Sequence, residues 1–359
     1  MRTMPGERLD WRTPYMCEGG DPQGKPEGRL PMLSRRAFST ALLTALAAPL
    51  VSRATAQAAS EIGSLARDLP QLHAIMVQRG EDIVLAQAFR GPGLDSVANI
   101  KSCSKSIVAL LAGSAISQGA IASVDATLGA VAPSIIPPDA TPGAADLTIE
   151  DLLTLRAGLE GTSGGNYGAW VNSGNWVAFA LRRPMVSRPG TRMIYSTGTT
   201  HILGAVLAVA TGESLLEQAR AVLGRPLGIE IPAWTRDPQG FYFGGNEMAL
   251  TPRAMLRIAV LMRDGGRFEG RQVIPADWMR VSVRPHTRSP YSGLDYGYGW
   301  FLSDSGFIIA RGYGGQIIAA HPERDLAVAI TSDPNAPARS DGHFGRLMDL
   351  LEGPLLAGV

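Results

Sequence analysis

Hydrophobic positions change period twice along this chain. Around residue 75 two short apolar runs, "LHAIMVQRG" and "EDIVLAQAFRG", flank the turn segment Arg79-Gly80-Glu81-Asp82, a pattern that predicts a β hairpin. The next apolar stretch, "SKSIVALLAGSAIS", has the spacing of a buried helix. Four further stretches, "TIEDLLTLRAGL", "NWVAFALRRP", "THILGAVLAVATGESLLEQARAVL" and "TPRAMLRIAVLMRDGG", keep helical spacing with Thr, Asn or Gly near their ends. Past residue 295 the pattern shortens again: "YGYGWFLSD", "GFIIARGYGG", "QIIAAHPERD" and "LAVAITSD" read as short strands separated by turn residues, and "HFGRLMDLLEGPLL" as a closing amphipathic helix. Strands near both ends predict one sheet assembled from both. The expected organisation is an α/β lobe formed by 59–125 and 285–359, interrupted by a mostly helical lobe, 126–284, with no internal repeat. Clefts between such lobes are common binding sites.

Residues 1–58 stand apart from this pattern. Arg35 and Arg36 precede Phe38, an apolar run from Ala41 to Val51, and small residues at Ala54, Ala56 and Ala58. That order, a charged start, a short apolar segment and an A-x-A cleavage site, predicts a twin-arginine export signal and a periplasmic or secreted product. The apolar run is too short to span a bilayer as a helix, so no stable membrane insertion is expected once the signal is removed. Upstream lies a stretch rich in Pro, Gly and charge, and Met32 just before the signal is the expected translation start.

Composition narrows the partners. With 45% hydrophobic residues, 18% charged residues and a formal charge of +1, the chain is globular and has no basic excess of the kind nucleic acid selects, so no nucleic-acid partner is expected. Removal of residues 1–58 leaves 25 basic and 27 acidic residues and a single cysteine, Cys103, so no internal disulfide is available to the mature chain. The five histidines are scattered without ligand spacing, and neither metal nor cofactor is expected.

One usage is anomalous. Thirty basic residues are arginine and only three are lysine: Lys25, Lys101 and Lys105, the last two in the hexapeptide "KSCSKS". Ser102 and Lys105 are spaced i, i+3, which on a helix puts an amine one turn from a hydroxyl. Serine is a poor nucleophile until a base takes its proton. Lysine can be that base when burial and the positive end of a helix lower its pKa. Arginine cannot be deprotonated in a protein, which explains lysine at 105 but not at 101, where the side chain either faces solvent or serves the site. Cys103 reads as a small buried hydrophobe. Downstream, Tyr195-Ser196-Thr197 precedes a helix, and a tyrosine hydroxyl beside a lysine ammonium loses its proton more easily, so it could relay that proton; packing in the core is the alternative. Gly314 and Gly315 fall on an expected strand, where glycine marks close approach of a ligand, so that the amides of Gln316 and Ser102 could form an oxyanion hole.

The order S-x-x-K, Y-S-x, then Tyr313-Gly314-Gly315 late in the chain resembles the class C β-lactamase and penicillin-binding-protein superfamily of serine hydrolases. "LTIEDLLTLRAGLEG", "GGNEMALTPRAMLRIAVLMRDGGRFEGRQVIP" and "YGYGWF" resemble further phrases of that superfamily, extending the similarity over 65–355, closest to the branch of 6-aminohexanoate-dimer hydrolases and related esterases. The resemblance implies a β-lactamase-like α/β (α+β) fold, an antiparallel sheet flanked by helices, with a mostly helical second lobe. It implies Ser102 as the acylated nucleophile, Lys105 and Tyr195 as the acid/base pair, and Tyr313, Gly314 and Gly315 at the substrate. Two departures matter. Tyr313 stands where β-lactamases have the lysine of Lys-Thr-Gly, and Thr197 where they have asparagine, which points away from anionic β-lactams and toward a small ester or linear amide, although Arg311 could restore an anion contact. Three readings follow: an exported serine hydrolase, a β-lactamase or D-Ala-D-Ala carboxypeptidase, and a catalytically silent binding protein on the same scaffold.

"EGTSGGN" also matches the G-x-S-x-G elbow at Ser163. An elbow needs a strand before the serine and a helix after it; here a helical pattern precedes and a glycine loop follows, so the segment reads as a flexible loop. His201 and His321 lack the loop context of a triad base. Tyr167, Trp170 and Trp176 are candidates either for a pocket wall or for the core.

Overall fold

The structure, a computed structural model, describes residues 48–358, with side chains from Gln57 onward. Met32, Arg35 and Arg36 lie outside the described residues. The first described element is helix α1 (Ala48–Arg67), which runs through Ala54–Ala58. Among the described residues no single helix is long and apolar enough to cross a membrane.

The predicted hairpin forms as β1 (Leu72–Arg79) and β2 (Asp82–Ala88), joined by Gly80 and Glu81 with Gly80 at φ +56°. After a short loop comes α2 (Ser104–Ser117), in which every residue from Ser104 to Ala115 is buried. Such a helix has no solvent face and can sit only inside the molecule. The long apolar run after Tyr195 breaks at Gly212, φ +72°, so α3 (Thr197–Thr211) ends there and the chain bends by 85° into Leu215–Leu227. Thr251 caps α4 (Pro252–Arg263).

The closing strands are β3 (Thr287–Arg288), β4 (Asp295–Tyr296), β5 (Phe301–Leu302), β6 (Ile308–Gly312), β7 (Gln316–His321) and β8 (Leu326–Ser332), followed by α5 (His343–Leu350). "YGYGWF" is thus a turn between β4 and β5 rather than one strand. The sheet has eight strands in the order β2-β1-β8-β7-β6-β5-β4-β3, all antiparallel, so the first hairpin completes a sheet whose other six strands lie 200 residues later.

Alternation along the strands explains how both faces are covered. Ala327 and Ala329 of β8 and Ala320 of β7 face the helical body, where their small side chains let α4 approach closely. Leu326, Val328, Ile330 and Ile317 face the other way, against Ile62 and Ala66 of α1 and Phe344 and Leu347 of α5. Helix α4, although it falls between the two sheet segments in sequence, therefore packs on the sheet itself. Near the sheet, α2 packs against α3 and makes the floor of the helical body.

Candidate active site

Ser102 is held in place by three local devices. Ala98–Asn99 pairs with Ala249–Leu250, and the Ile100 amide donates to Met248 O at 2.9 Å, which fixes the chain entering the turn. Lys101 then takes a left-handed conformation, φ +51°, its amide donating to Asn99 Oδ1 at 2.9 Å. A 3₁₀ turn, Lys101–Cys103, follows and leads directly into α2. Ser102 thus precedes the α-helix instead of opening it, yet the i, i+3 contact survives: Lys105 Nζ is 3.0 Å from Ser102 Oγ. Lys101 is not free in solvent. Its ammonium pairs with Glu247 at 3.0 Å, and Glu247 also accepts from Asn99 Nδ2 at 2.6 Å.

Lys105 is 3% exposed and has two further partners, Gly245 O at 2.7 Å and Thr197 Oγ1 at 3.2 Å. Burial lowers its pKa to about 7. A neutral amine has two N–H donors and one lone pair. With Gly245 O able only to accept, the donors go to Gly245 and Thr197, and the lone pair is left for the Ser102 hydroxyl proton.

Tyr195 sits over this pair, with Lys105 Nζ 5.0 Å from its ring centroid. A lysine ammonium next to a phenol hydroxyl would ease its ionisation. Instead burial pushes Tyr195 up to about 12, with contact to Ser102 only partly offsetting it, because the amine faces the ring and not the hydroxyl. Tyr195 is a neutral donor at neutral pH. Ser196 caps α3 through Thr199 N and also accepts from Thr162 N at 3.1 Å. The Thr197 amide donates to Ser163 Oγ at 2.9 Å, and the Ser163 and Thr197 hydroxyls lie 3.0 Å apart. Ser163 is therefore tied to the site as a wall, in a loop pinned to the start of α3, and the glycine-rich loop is not free. Its signal was spacing to Thr197 across 34 positions, which no local motif reports.

Ser102, Ser163, Tyr195 and Thr197 line a cavity of about 840 Å³ that also includes Lys101, Tyr167, Asn246, Glu247, Phe301, Arg311, Gly312, Tyr313 and Phe344. Tyr167 belongs to it, its hydroxyl accepting from Asn246 Nδ2 at 2.9 Å. Trp170 and Trp176 belong to the core with Phe243. His201 is buried in α3 with Nε2 3.0 Å from Asp237 Oδ2 and Nδ1 accepting from Gly244 N at 3.3 Å, which secures the backbone just before Gly245. His321 contacts Ser305 O at 2.7 Å. Cys103 is fully buried, its thiol pushed well up by burial.

The third element differs from the sequence expectation. Gly314 and Gly315 are in the hairpin turn between β6 and β7, not on a strand, and neither lines the cavity. Their φ values of +83° and +101° require glycine, and a Cβ on Gly314 would lie 2.2 Å from Asp333 O, so protein backbone and not ligand is what approaches. Gln316 is also displaced from the cavity: it is fully buried on an inner strand, its side chain bonded to the Ser332 backbone at 2.8 and 3.1 Å. The residues of this segment that reach the cavity are Arg311, Gly312 and Tyr313, two positions earlier than expected and with Tyr313 in common. A Cβ on Gly312 would lie 2.2 Å from Ile100 O, so glycine lets β6 abut the Ser102 turn, and Tyr313, 51% exposed, follows at its end. Among the described residues, neither the Ser102 nor the Tyr313 amide has a backbone acceptor in the fold. Nor do three His, Cys, Asp or Glu side chains converge there to hold a metal ion.

Solved structures share this fold at low identity. EstCE1, a hydrolase with promiscuous acyltransferase activity, is 17% identical, with 85% of this chain and 100% of that one covered at a TM-score of 0.69. A novel penicillin-binding protein homolog from Caulobacter crescentus is 16% identical (85% and 98% covered, TM-score 0.69), and a Bacillus anthracis protein assigned as a 6-aminohexanoate-dimer hydrolase is 16% identical (82% and 80%, TM-score 0.67). A search of curated proteins finds no match. The beta-lactamase family model matches residues 65–350, and the chain belongs to that family.

Proposed function

We propose that this protein is a serine hydrolase that cleaves an ester or linear amide through an acyl-enzyme on Ser102. The observation that carries the reading is Lys105 Nζ, 3.0 Å from Ser102 Oγ and buried so that its pKa is about 7. At neutral pH about half of the amine is unprotonated. Its lone pair takes the Ser102 proton as Oγ bonds to the substrate carbonyl carbon. The developing oxyanion meets the amides of Ser102 and Tyr313, the latter in place of Gln316. The Tyr195 hydroxyl, a neutral donor, gives its proton to the leaving group; water then attacks the acyl carbon as its proton passes to the Tyr195 oxygen, and Ser102 Oγ leaves with the proton that Lys105 held. The beta-lactamase family membership and the structural neighbours named as hydrolases support the reaction class.

The test is a panel of p-nitrophenyl esters, nitrocefin and 6-aminohexanoate dimer with wild type and Ser102→Ala. Ester turnover that Ser102→Ala abolishes, with a fluorophosphonate adduct on the Ser102 peptide, supports the proposal. Nitrocefin turnover exceeding the esters would move it to a β-lactamase. Absence of all turnover and labelling would leave a binding protein. The order of residues 35–58 supports export by the twin-arginine route to the periplasm or beyond. Retention of an Arg35→Lys/Arg36→Lys double variant in the cytoplasm, with wild type processed, is the corresponding check.

A further inference from the structure

Two hydroxyls stand in line behind the Lys105 amine. Lys105 Nζ donates to Thr197 Oγ1 at 3.2 Å, and Thr197 Oγ1 lies 3.0 Å from Ser163 Oγ. Thr197 is 4% exposed, whereas Ser163 comes from the glycine-rich loop and lines the cavity. Two side chains of that loop hold it against the first turn of α3: the Thr197 amide donates to Ser163 Oγ at 2.9 Å and the Gly198 amide to Thr162 Oγ1 at 2.8 Å.

Counting hydrogens fixes the direction of this chain. A hydroxyl has one hydrogen to give and two lone pairs with which to receive. Thr197 Oγ1 receives from Lys105, so its own hydrogen goes elsewhere, and among the described residues the acceptor it meets is Ser163 Oγ. Ser163 then receives twice, from the Thr197 amide and the Thr197 hydroxyl, and its own hydrogen is left for the cavity. Donation therefore runs from Lys105 to Thr197 to Ser163. Without the Ser163 oxygen, the buried Thr197 hydrogen would have one partner left, the lone pair of the neutral amine, which the Ser102 hydroxyl also needs. An orphaned buried donor is costly, so the hydrogen would turn there.

We infer that Ser163 is a positioning residue: by accepting the Thr197 hydrogen it keeps Thr197 an acceptor for Lys105 and leaves the amine's lone pair to Ser102. This deepens the proposed reaction and rests on Lys105 as its base. It gives the serine of the G-x-S-x-G segment a task other than nucleophilic attack, one hydroxyl away from the amine. Two consequences are measurable. Without the Ser163 hydroxyl, the Thr197 hydrogen is unpaired only while the amine is protonated, so the amine releases its proton at lower pH. Thr197 then also competes with Ser102 for one lone pair, so kcat falls.

The experiment compares Ser163→Thr with Ser163→Val, which share a shape and differ in the hydroxyl, and uses Ser163→Ala as a second variant without it. The chain has three lysines, so carbon-13 NMR of protein labelled at lysine Cε follows Lys105 without substrate, its resonance identified by its absence from Lys105→Met. Ser163→Thr should titrate with wild type, and Ser163→Val and Ser163→Ala lower by about half a pH unit or more, a threefold change in the equilibrium. On p-nitrophenyl acetate, Ser163→Val should lose tenfold or more in kcat relative to Ser163→Thr, with KM within threefold. In a Thr197→Val background no hydroxyl is left to direct, and the Thr and Val variants at 163 should titrate within about 0.2 unit of each other. A smaller or upward shift in Ser163→Val and Ser163→Ala, equal kcat for Ser163→Thr and Ser163→Val, or a gap that persists beside Thr197→Val would overturn the positioning role and leave Ser102 untouched. Absence of wild-type turnover, with the Lys105 titration still following the hydroxyl at 163, would instead overturn Ser102 as nucleophile and keep the hydroxyl chain.

Discussion

Lys105 offers the most direct measurement, because its proposed state can be read from stability without any substrate. Its amine is at about 7 in the folded protein against an ordinary 10.5. Between those values the unfolded chain holds a proton that the folded chain has released. A pKa depressed by folding means that stability rises with pH across this window and is lost as pH falls toward 7. The slope is about 1.4 kcal/mol per pH unit where the difference is one full proton, and integration from pH 7.5 to 9.5 gives about 2.5 kcal/mol. Lys105→Met removes the titrating group but leaves Gly245 O without its donor, a cost of about 1–3 kcal/mol that does not vary with pH. Tyr195 is present in both proteins and cancels. Urea unfolding of wild type and Lys105→Met at pH 7.5, 8.5 and 9.5 should show wild type gaining about 2.5 kcal/mol on the variant. A gap that stays flat to within about 0.5 kcal/mol would show that the buried amine keeps its proton, and Lys105 could not be the base.

The remaining predictions concern neighbouring groups. Hydrolysis of a p-nitrophenyl ester should rise through a limb near pH 7 as Lys105 loses its proton, and Tyr195→Phe should lower kcat by about 10²–10⁴ without moving that limb, a result checked by the pH profile of kcat. Gly312→Ala places a Cβ 2.2 Å from Ile100 O, so it should cost about 1–3 kcal/mol in a melt and depress activity by shifting the Ser102 turn. Asp237→Ala leaves His201 buried without its partner and should cost about 1–3 kcal/mol, with reduced kcat because Gly244 and Gly245 lose their anchor; unchanged stability would mean the pair is not formed.

Much of the molecule was legible in one dimension. Period-2 and period-3.6 patterns are set by burial of one face, so the β1–β2 hairpin, the strands β6 to β8 and helices α2 to α5 follow from local residue order. The Ser102–Lys105 contact is also local, three residues apart, and lysine in an arginine-rich chain announced it. Tertiary structure decided everything that depends on distance across the sequence. It moved the cavity-lining edge from Tyr313-Gly314-Gly315 to Arg311-Gly312-Tyr313, because a hairpin turn and not a strand carries the two glycines. It turned Lys101 into an ion pair with Glu247, drew Ser163 beside Thr197, and set Tyr195 with its ring, not its hydroxyl, against the amine. Residue types determine what chemistry is available, but burial and orientation set which groups ionise, and both come from neighbours far along the chain, 92 residues away for Thr197 and 140 for Gly245 from Lys105.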